Sequence, residues 1–121
     1  MARAPDKPMI AALLGHALVA TEDGSQFAEA KQVLRAAIAR DNDNPDAWYQ
    51  LGIVYDHDGD TPRAALATAE RNNLEGENKL ALASAKMAMN GLKPGTPDYL
   101  RAQDIALVSE TALKKDKKKK K

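Results

Sequence analysis

Four residues near the middle of the chain constrain its fold more than any others. They are, in order, Trp48, Leu51, Gly52 and Tyr55. Their spacing is that of positions i, i+3, i+4 and i+7, which share one face of an α-helix. A glycine inside a helix costs roughly 1 kcal/mol relative to alanine, so Gly52 indicates that a neighbouring helix approaches closely. The stretch therefore predicts a helix that packs against others through a patterned face.

Part of this pattern occurs a second time, 37 residues earlier in the chain. Leu14, Gly15 and Leu18 stand where the later copy has its leucine, glycine and tyrosine. In addition, Ala64 falls where the second helix of a pair has to meet the first at short distance. A supersecondary unit that recurs at such a period predicts stacked helix pairs.

Prolines and glycines mark the boundaries of the helices. Prolines occur at 8, 45, 62 and 97, where helices are expected to start, and glycines at 24, 59, 76 and 91, where helices are expected to meet connections. The predicted helices cover about 9–20, 25–41, 45–59, 61–75, 77–90 and the stretch from 97 onward. We therefore predict an all-α domain at 9–113, in which antiparallel pairs stack as a right-handed superhelix and the last helix is a cap.

The third predicted pair is less regular than the first two. Its first helix has a candidate inward stripe made of Leu80, Ala81, Ser84, Ala85 and Ala88. Its second helix has Leu100, Ile105 and Val108 as candidate core residues, and its many polar residues suit a terminal helix that faces water.

The charge of the chain is concentrated at its end. Residues 114–121 include seven of the eighteen basic residues and one of the seventeen acidic ones, so this segment carries +6 and the rest −5. We expect residues 1–8 and the lysine-rich 114–121 to be disordered, because a run of like charges has little to pack against. Docking of this tail on nucleic acid or anionic membrane is the alternative to a solvated tail.

Two stretches resemble known families. Residues 48–55 read W-x2-L-G-x2-Y, which resembles the first-helix signature of the tetratricopeptide repeat. Residues 91–97, Gly-Leu-Lys-Pro-Gly-Thr-Pro, resemble the C-terminal repeat region of bacterial zinc-dependent proteases that also contain an HExxH metallopeptidase domain. That resemblance implies a periplasmic, non-catalytic domain that recognises substrates or assembly partners, with the metallopeptidase domain elsewhere in the parent chain. Neither His16 nor His57 begins an HExxH motif, and these are the chain's two histidines.

No motif in the sequence predicts catalysis, a metal site or a cofactor. The acidic stretch 56–60 has oxygens at alternating positions, as an EF-hand loop does, but Thr61 and Ala67 stand where such a loop needs glycine and glutamate. His57 lies beside Asp56 and Asp58, yet no motif places a nucleophile near it. The chain has no cysteine. We therefore predict a domain that is not an enzyme.

The resemblance to the tetratricopeptide repeat implies that ligands lie in a concave groove lined by the first helix of each pair, so this face is the candidate binding site. Its predicted residues are His16, Tyr49, Gln50, Ile53 and His57. Polar and apolar side chains both line this face, and none of them is lysine or arginine. Such a lining favours an extended peptide or a protein segment as the partner. The alternative is that other parts of a parent protein fill the groove. The sequence suggests no nucleic-acid ligand for this face, and the apolar run 9–20 is too short to span a bilayer.

Overall fold

The computed structural model describes residues 7–119, which form six α-helices joined by short connections. The helices are α1 (Pro8–Ala20), α2 (Gly24–Arg40), α3 (Pro45–His57), α4 (Thr61–Leu74), α5 (Asn78–Gly91) and α6 (Pro97–Lys119). No strand occurs within these limits, so the all-α prediction is confirmed. Most of the predicted N-terminal disordered segment, residues 1–6, lies outside the described residues.

Side-chain caps fix where three of the helices begin. The carboxylate of Asp23 accepts a hydrogen bond from the backbone N–H of Ser25, and that of Asp60 accepts one from Arg63. The side chain of Asn44 does the same for the first turn of α3. Such caps satisfy N–H groups that have no partner within the helix, and each is worth about 1 kcal/mol. The predicted helix starts are therefore correct to within one or two residues.

The first two helix pairs stack side by side, and the third pair is attached differently. α1 packs on α2, α3 packs on α4, and α1 also contacts α3. The pair α5–α6 joins the stack through α4, which contacts both of its helices. Within residues 7–119, α3 and α5 make no close contact. The surface formed by first helices therefore consists of α1 and α3 alone.

The signature residues lie in the core. Trp48, Leu51 and Tyr55 are all buried in one apolar cluster with side chains of α1, α2 and α4. The indole Nε1–H of Trp48 also donates a hydrogen bond of 2.9 Å to the backbone carbonyl of Asn42, so its polar atom is satisfied inside the core. Leu14 and Leu18 pack against the same cluster from α1.

The two signature glycines differ in how closely a neighbour approaches. A Cβ added at Gly52 would lie 3.6 Å from the Cβ of Ala67, which is ordinary van der Waals contact. A Cβ added at Gly15 would lie only 2.5 Å from Cγ and Cδ2 of Leu34. The close approach that we inferred from Gly52 is therefore tightest at Gly15, where Leu34 of α2 occupies the space of the missing side chain.

For three residues of the third pair, the prediction that they lie in the core is wrong. The side chains of Leu80, Leu100 and Val108 are half exposed or more. The three alanines of the predicted stripe, Ala81, Ala85 and Ala88, are fully buried as expected, and Ile105 of α6, which Ala102 joins in the core, is buried as well. Alanine stripes let helix axes approach closely, and this packing turns α5 and α6 so that larger neighbouring side chains point outward.

The last helix is longer than we expected. The tail predicted to be disordered from residue 114 continues α6 as far as Lys119, and residues 120 and 121 lie outside the described part. No glycine or proline follows Pro97 in this helix, and lysine is a good helix former. Positive charge at a helix C-terminus also interacts favourably with the helix dipole. Local propensity thus outweighs the mutual repulsion of the lysines.

Candidate functional site

The surface where α1 and α3 run side by side contains most of the predicted binding residues. We call it the α1–α3 surface and define it by Met9, His16, Tyr49 and Ile53. Met9, His16 and Tyr49 are exposed, and Ile53 is partly buried against the core. Both helices are capped or packed along their length, so these side chains are presented on a rigid support.

A polar cluster links α1 to α3 at this surface. The Nδ1 atom of His16 lies 2.9 Å from Oδ2 of Asp46, and because a carboxylate only accepts, Nδ1 carries the hydrogen and donates it. The amide of Gln50 donates to the other carboxylate oxygen at 3.2 Å. Gln50 is 5% exposed. We predict Gln50 as a binding residue from the sequence, but the structure places its amide beneath His16 and Asp46.

The exposed ring of Tyr49 lies beside a basic side chain. The guanidinium carbon of Arg71, in α4, is 4.7 Å from the ring centroid, and the same guanidinium forms an ion pair with Glu75. The lining that α1 and α3 contribute has no lysine or arginine, but Arg71 of α4 brings a cation to its edge, which the sequence did not indicate. A cation over an aromatic face is worth about 0.5–1 kcal/mol at an exposed site, so Arg71 helps to hold the tyrosine ring in place.

His57 belongs to a different part of the molecule from His16. Its ring meets the ring of Phe27 edge to face, with the centroids 4.7 Å apart. It thus packs on the start of α2 at the C-terminal end of α3, whereas His16 contacts the N-terminal half of α3. The structure does not join His57 to the other predicted binding residues.

The acidic stretch after α3 is engaged in local contacts. The carboxylate of Asp58 pairs with the ammonium group of Lys31, and this hydrogen bond holds the pKa of Asp58 below its usual value. Asp60 caps α4 and pairs with Arg63. Among residues 7–119, no group of three or more histidine and carboxylate side chains is placed to hold a metal ion.

A cleft lies on another side of the molecule from the α1–α3 surface, and the sequence did not indicate it. It is a cleft of about 240 Å³ between α2 and α6, with α3 and α4 forming its floor. We call it the α2–α6 cleft. Its apolar lining consists of Ile38, Ala39, Trp48, Leu51, Leu66 and Ala67. Its polar lining consists of Arg35, Asn42, Tyr55, Arg63, Asp98 and Arg101.

Two of the three cleft arginines are held by carboxylates. Arg63 bonds to Asp98 at 2.9 Å and to Asp60 at the same distance, and these hydrogen bonds raise its pKa. Arg101 pairs with Glu70 and lies over the Trp48 ring, 5.3 Å from its centroid. The arginines come from three helices that are far apart in sequence, so a periodicity analysis assigns each of them to an outer face and cannot show that they meet.

The family that the comparison identifies agrees with this architecture of stacked helix pairs. A model of the tetratricopeptide repeat family matches residues 23–86, more than half of the chain. The chain belongs to the tetratricopeptide repeat family. No curated protein and no solved structure matches it at a significant level.

Membership in the tetratricopeptide repeat family indicates a protein-interaction module that is typically non-catalytic. The matched range begins at the cap of α2 and ends within α5, so it includes the whole α3–α4 repeat and one wall of the α2–α6 cleft. Across residues 7–119, no helix of this repeat protein has both the length and the apolar character needed to cross a membrane.

Proposed function

We propose that this tetratricopeptide repeat domain binds an extended segment of a partner protein on the α1–α3 surface. The observation that supports this most directly is Tyr49, whose side chain is large, half exposed and positioned by Arg71. A tyrosine offers both apolar area and a hydroxyl while few rotatable bonds have to be fixed. It is the kind of side chain that dominates binding energy at protein interfaces.

The other side chains of the α1–α3 surface suit an extended peptide. Met9 and Ile53 provide apolar contact area on the two helices. His16 donates through Nδ1 to Asp46, which leaves Nε2 of the neutral imidazole as a hydrogen-bond acceptor. A peptide backbone carries N–H donors at regular intervals, so one of them can pair with this nitrogen while side chains contact Met9 and Ile53.

The parent of this domain is proposed to be a zinc-dependent protease. The Gly-Leu-Lys-Pro-Gly-Thr-Pro stretch at 91–97 supports this reading, because it forms the α5–α6 connection and resembles the same region in those proteases. In such a parent, the domain would recognise periplasmic substrates or assembly partners. Sequencing the DNA that flanks this coding sequence tests the proposal. We expect a signal sequence and an HExxH domain in the same open reading frame. Stop codons in that frame on both sides, with no such domain, would refute it.

Binding on the α1–α3 surface is tested with a double substitution, Tyr49→Ala with Ile53→Asp. Partners captured by the wild-type domain on a peptide array should bind this variant about thirtyfold more weakly or worse, since a tyrosine anchor is worth about 2 kcal/mol or more. Leu80→Asp is the matched control, because Leu80 is also an exposed aliphatic residue but lies on α5. Equal binding by the double variant and the wild type would refute this location.

A second candidate function rests on α6. Leu100, Leu107 and Val108 are all at least half exposed, and Lys114, Lys115 and Lys117 follow them as exposed residues of the same helix. An apolar stripe followed by lysines is typical of helices that lie on anionic membranes. Nucleic acid is the weaker alternative, because exposed leucines contribute nothing to phosphate binding.

Vesicle sedimentation distinguishes these possibilities. The wild type should sediment with phosphatidylserine-containing vesicles and not with neutral ones. Deleting residues 114–121, which removes a charge of +6, should abolish this binding, and added salt should weaken it. Leu107→Asp should abolish membrane binding but leave any binding to DNA intact. Retention of vesicle binding after the deletion would refute this candidate.

A further inference from the structure

The α2–α6 cleft has the features of a binding site, and neither the repeat signature nor the α1–α3 surface accounts for them. It is lined by the edges of buried core side chains from α3 and α4. No residue of the α1–α3 surface lines it. At about 240 Å³ it is smaller than the roughly 300–1,000 Å³ of pockets that enclose whole small-molecule ligands. Its size suits one or two side chains of a segment that lies across it.

Among the charged groups around the cleft, one arginine is available to bind a ligand. Three carboxylates are engaged with two of the arginines: Asp60 and Asp98 pair with Arg63, and Glu70 pairs with Arg101. With Arg35 included, the positive and negative charges around the cleft are equal in number. Arg35 lies on the opposite wall, on α2, and has no carboxylate within ion-pair distance among residues 7–119. A guanidinium group offers five N–H donors in a planar arrangement that matches the two oxygens of a carboxylate. The cleft therefore has one cationic group available for an acidic ligand.

Tyr55 adds a second polar group without a partner. Its hydroxyl makes no hydrogen bond with any described side chain or backbone group, although its ring is buried and lines the cleft. Burial raises the pKa of this phenol, with Arg35 and Asp98 among the charges that act on it. The hydroxyl is thus protonated at neutral pH and can donate a hydrogen bond to a ligand oxygen.

The apolar part of the cleft lies next to these polar groups. Ile38 is only partly buried and Ala39 is exposed, one turn of α2 further along from Arg35. An aliphatic ligand side chain that covers this area would remove apolar surface from water, which favours binding. Aliphatic contact on α2 beside one carboxylate contact is therefore the combination that the cleft can satisfy.

We propose that the α2–α6 cleft binds a peptide segment in which an acidic side chain is flanked by an aliphatic one, and that Arg35 receives the carboxylate. A nucleic acid is a poorer fit, because a phosphate backbone needs several available cations in a row and two of the three arginines here are already paired. This site is separate from the α1–α3 surface, so the two proposals succeed or fail independently.

Two substitutions on the exposed side of α2 test the proposal. Ala39→Glu introduces a carboxylate four residues after Arg35, where it can pair with that guanidinium on the helix surface and occupy the ligand's position. Ala36→Glu is the matched control: it places the same charge on the same helix at another exposed position, one that does not line the cleft. Arg35→Gln removes the cation itself.

The probe is an array of short peptides with a central Leu-Glu pair in varied flanking sequence, paired with a copy in which glutamine replaces the glutamate. The wild type and Ala36→Glu should bind a subset of the Leu-Glu peptides. Arg35→Gln and Ala39→Glu should bind the same subset at least about tenfold more weakly, since a hydrogen bond to a charged group is worth about 1.5–3 kcal/mol.

Thermal melting of each variant verifies that the fold is retained, and the Tyr49→Ala, Ile53→Asp variant should bind the Leu-Glu subset normally. Three outcomes would overturn the proposal. The first is that no Leu-Glu peptide binds the wild type, and the second is that glutamate and glutamine peptides bind equally. The third is that binding is unchanged in well-folded Arg35→Gln and Ala39→Glu.

Discussion

Replacing the two signature glycines by alanine should change stability in opposite directions. Gly15 and Gly52 occupy the same position of the repeated pattern, and both lie inside helices. In either place alanine gains about 1 kcal/mol of helix propensity over glycine. The substitutions therefore differ only in what the new methyl group meets.

At Gly52 the methyl group has room. Its nearest neighbours would be the Cβ of Ala67 at 3.6 Å and the carbonyl oxygen of Ala64 at 3.9 Å, close to the 3.5–4.0 Å at which non-bonded carbon atoms attract most strongly. Gly52→Ala should therefore raise the free energy of unfolding by about 1 kcal/mol.

At Gly15 the methyl group meets a side chain that cannot move away easily. Cγ and Cδ2 of Leu34 would both lie 2.5 Å from it, and Leu34 is completely buried. Overpacking of this kind costs about 1–3 kcal/mol. After the propensity gain, Gly15→Ala should lower the free energy of unfolding by up to about 2 kcal/mol.

Urea denaturation followed by far-UV circular dichroism measures both effects. The two alanine variants should differ from each other by about 1–3 kcal/mol, the overpacking term, because the propensity gain cancels. A double-mutant cycle with Leu34→Ala identifies the cause, since shortening Leu34 should remove most of the penalty of Gly15→Ala and leave the effect of Gly52→Ala unchanged. If Gly15→Ala stabilises the protein as much as Gly52→Ala does, the close packing of α1 on α2 is refuted.

Three further predictions follow from individual contacts. Ser109→Ala should raise the melting temperature by a few degrees, because the Ser109 hydroxyl is buried without a hydrogen-bond partner among the described residues; a lower melting temperature would mean that the hydroxyl is satisfied. Gly91→Ala should destabilise the domain by about 1–3 kcal/mol in urea denaturation, because the new Cβ would overlap the ring of Pro62, and an unchanged midpoint would show that the end of α5 shifts freely. Lys31 lowers the pKa of Asp58 in the folded state. The ionised Asp58 therefore adds to the free energy of unfolding above its unfolded pKa of about 3.9, and this stabilisation is lost as the pH falls through the lower folded pKa. The stability difference between wild type and Asp58→Asn should accordingly be at most about 1 kcal/mol at pH 7 and shrink below about pH 4, and a difference that grows on acidification would contradict this.

The binding surfaces could be predicted only in part. The side-by-side position of α1 and α3 follows from the repeated leucine–glycine pair, and the structure confirms that these helices are in contact. Sequence could not show that Gln50 is covered by His16 and Asp46, or that His57 packs on Phe27. Those contacts join residues from different helices, and their geometry depends on how the helices are rotated against each other.

What the sequence by itself determined is local. Proline at helix starts, capping side chains and the spacing of Trp48, Leu51 and Tyr55 act within one or two turns, so six helices and their boundaries follow from them. The buried face of α3 follows as well, because Trp48, Leu51 and Tyr55 recur at the spacing of one helix face.

Only the tertiary structure decided which face is buried in a helix whose hydrophobic pattern is weak. In the alanine-rich α5, the predicted stripe is wide enough to include both Leu80 and the alanines, and the structure buries Ala81 and Ala85 while Leu80 is exposed, because alanine allows the closer helix approach. The α2–α6 cleft is of the same kind. Arg35, Arg63 and Arg101 each have an ordinary outward position on their own helix, and only the packing of α6 over α4 places them around one site.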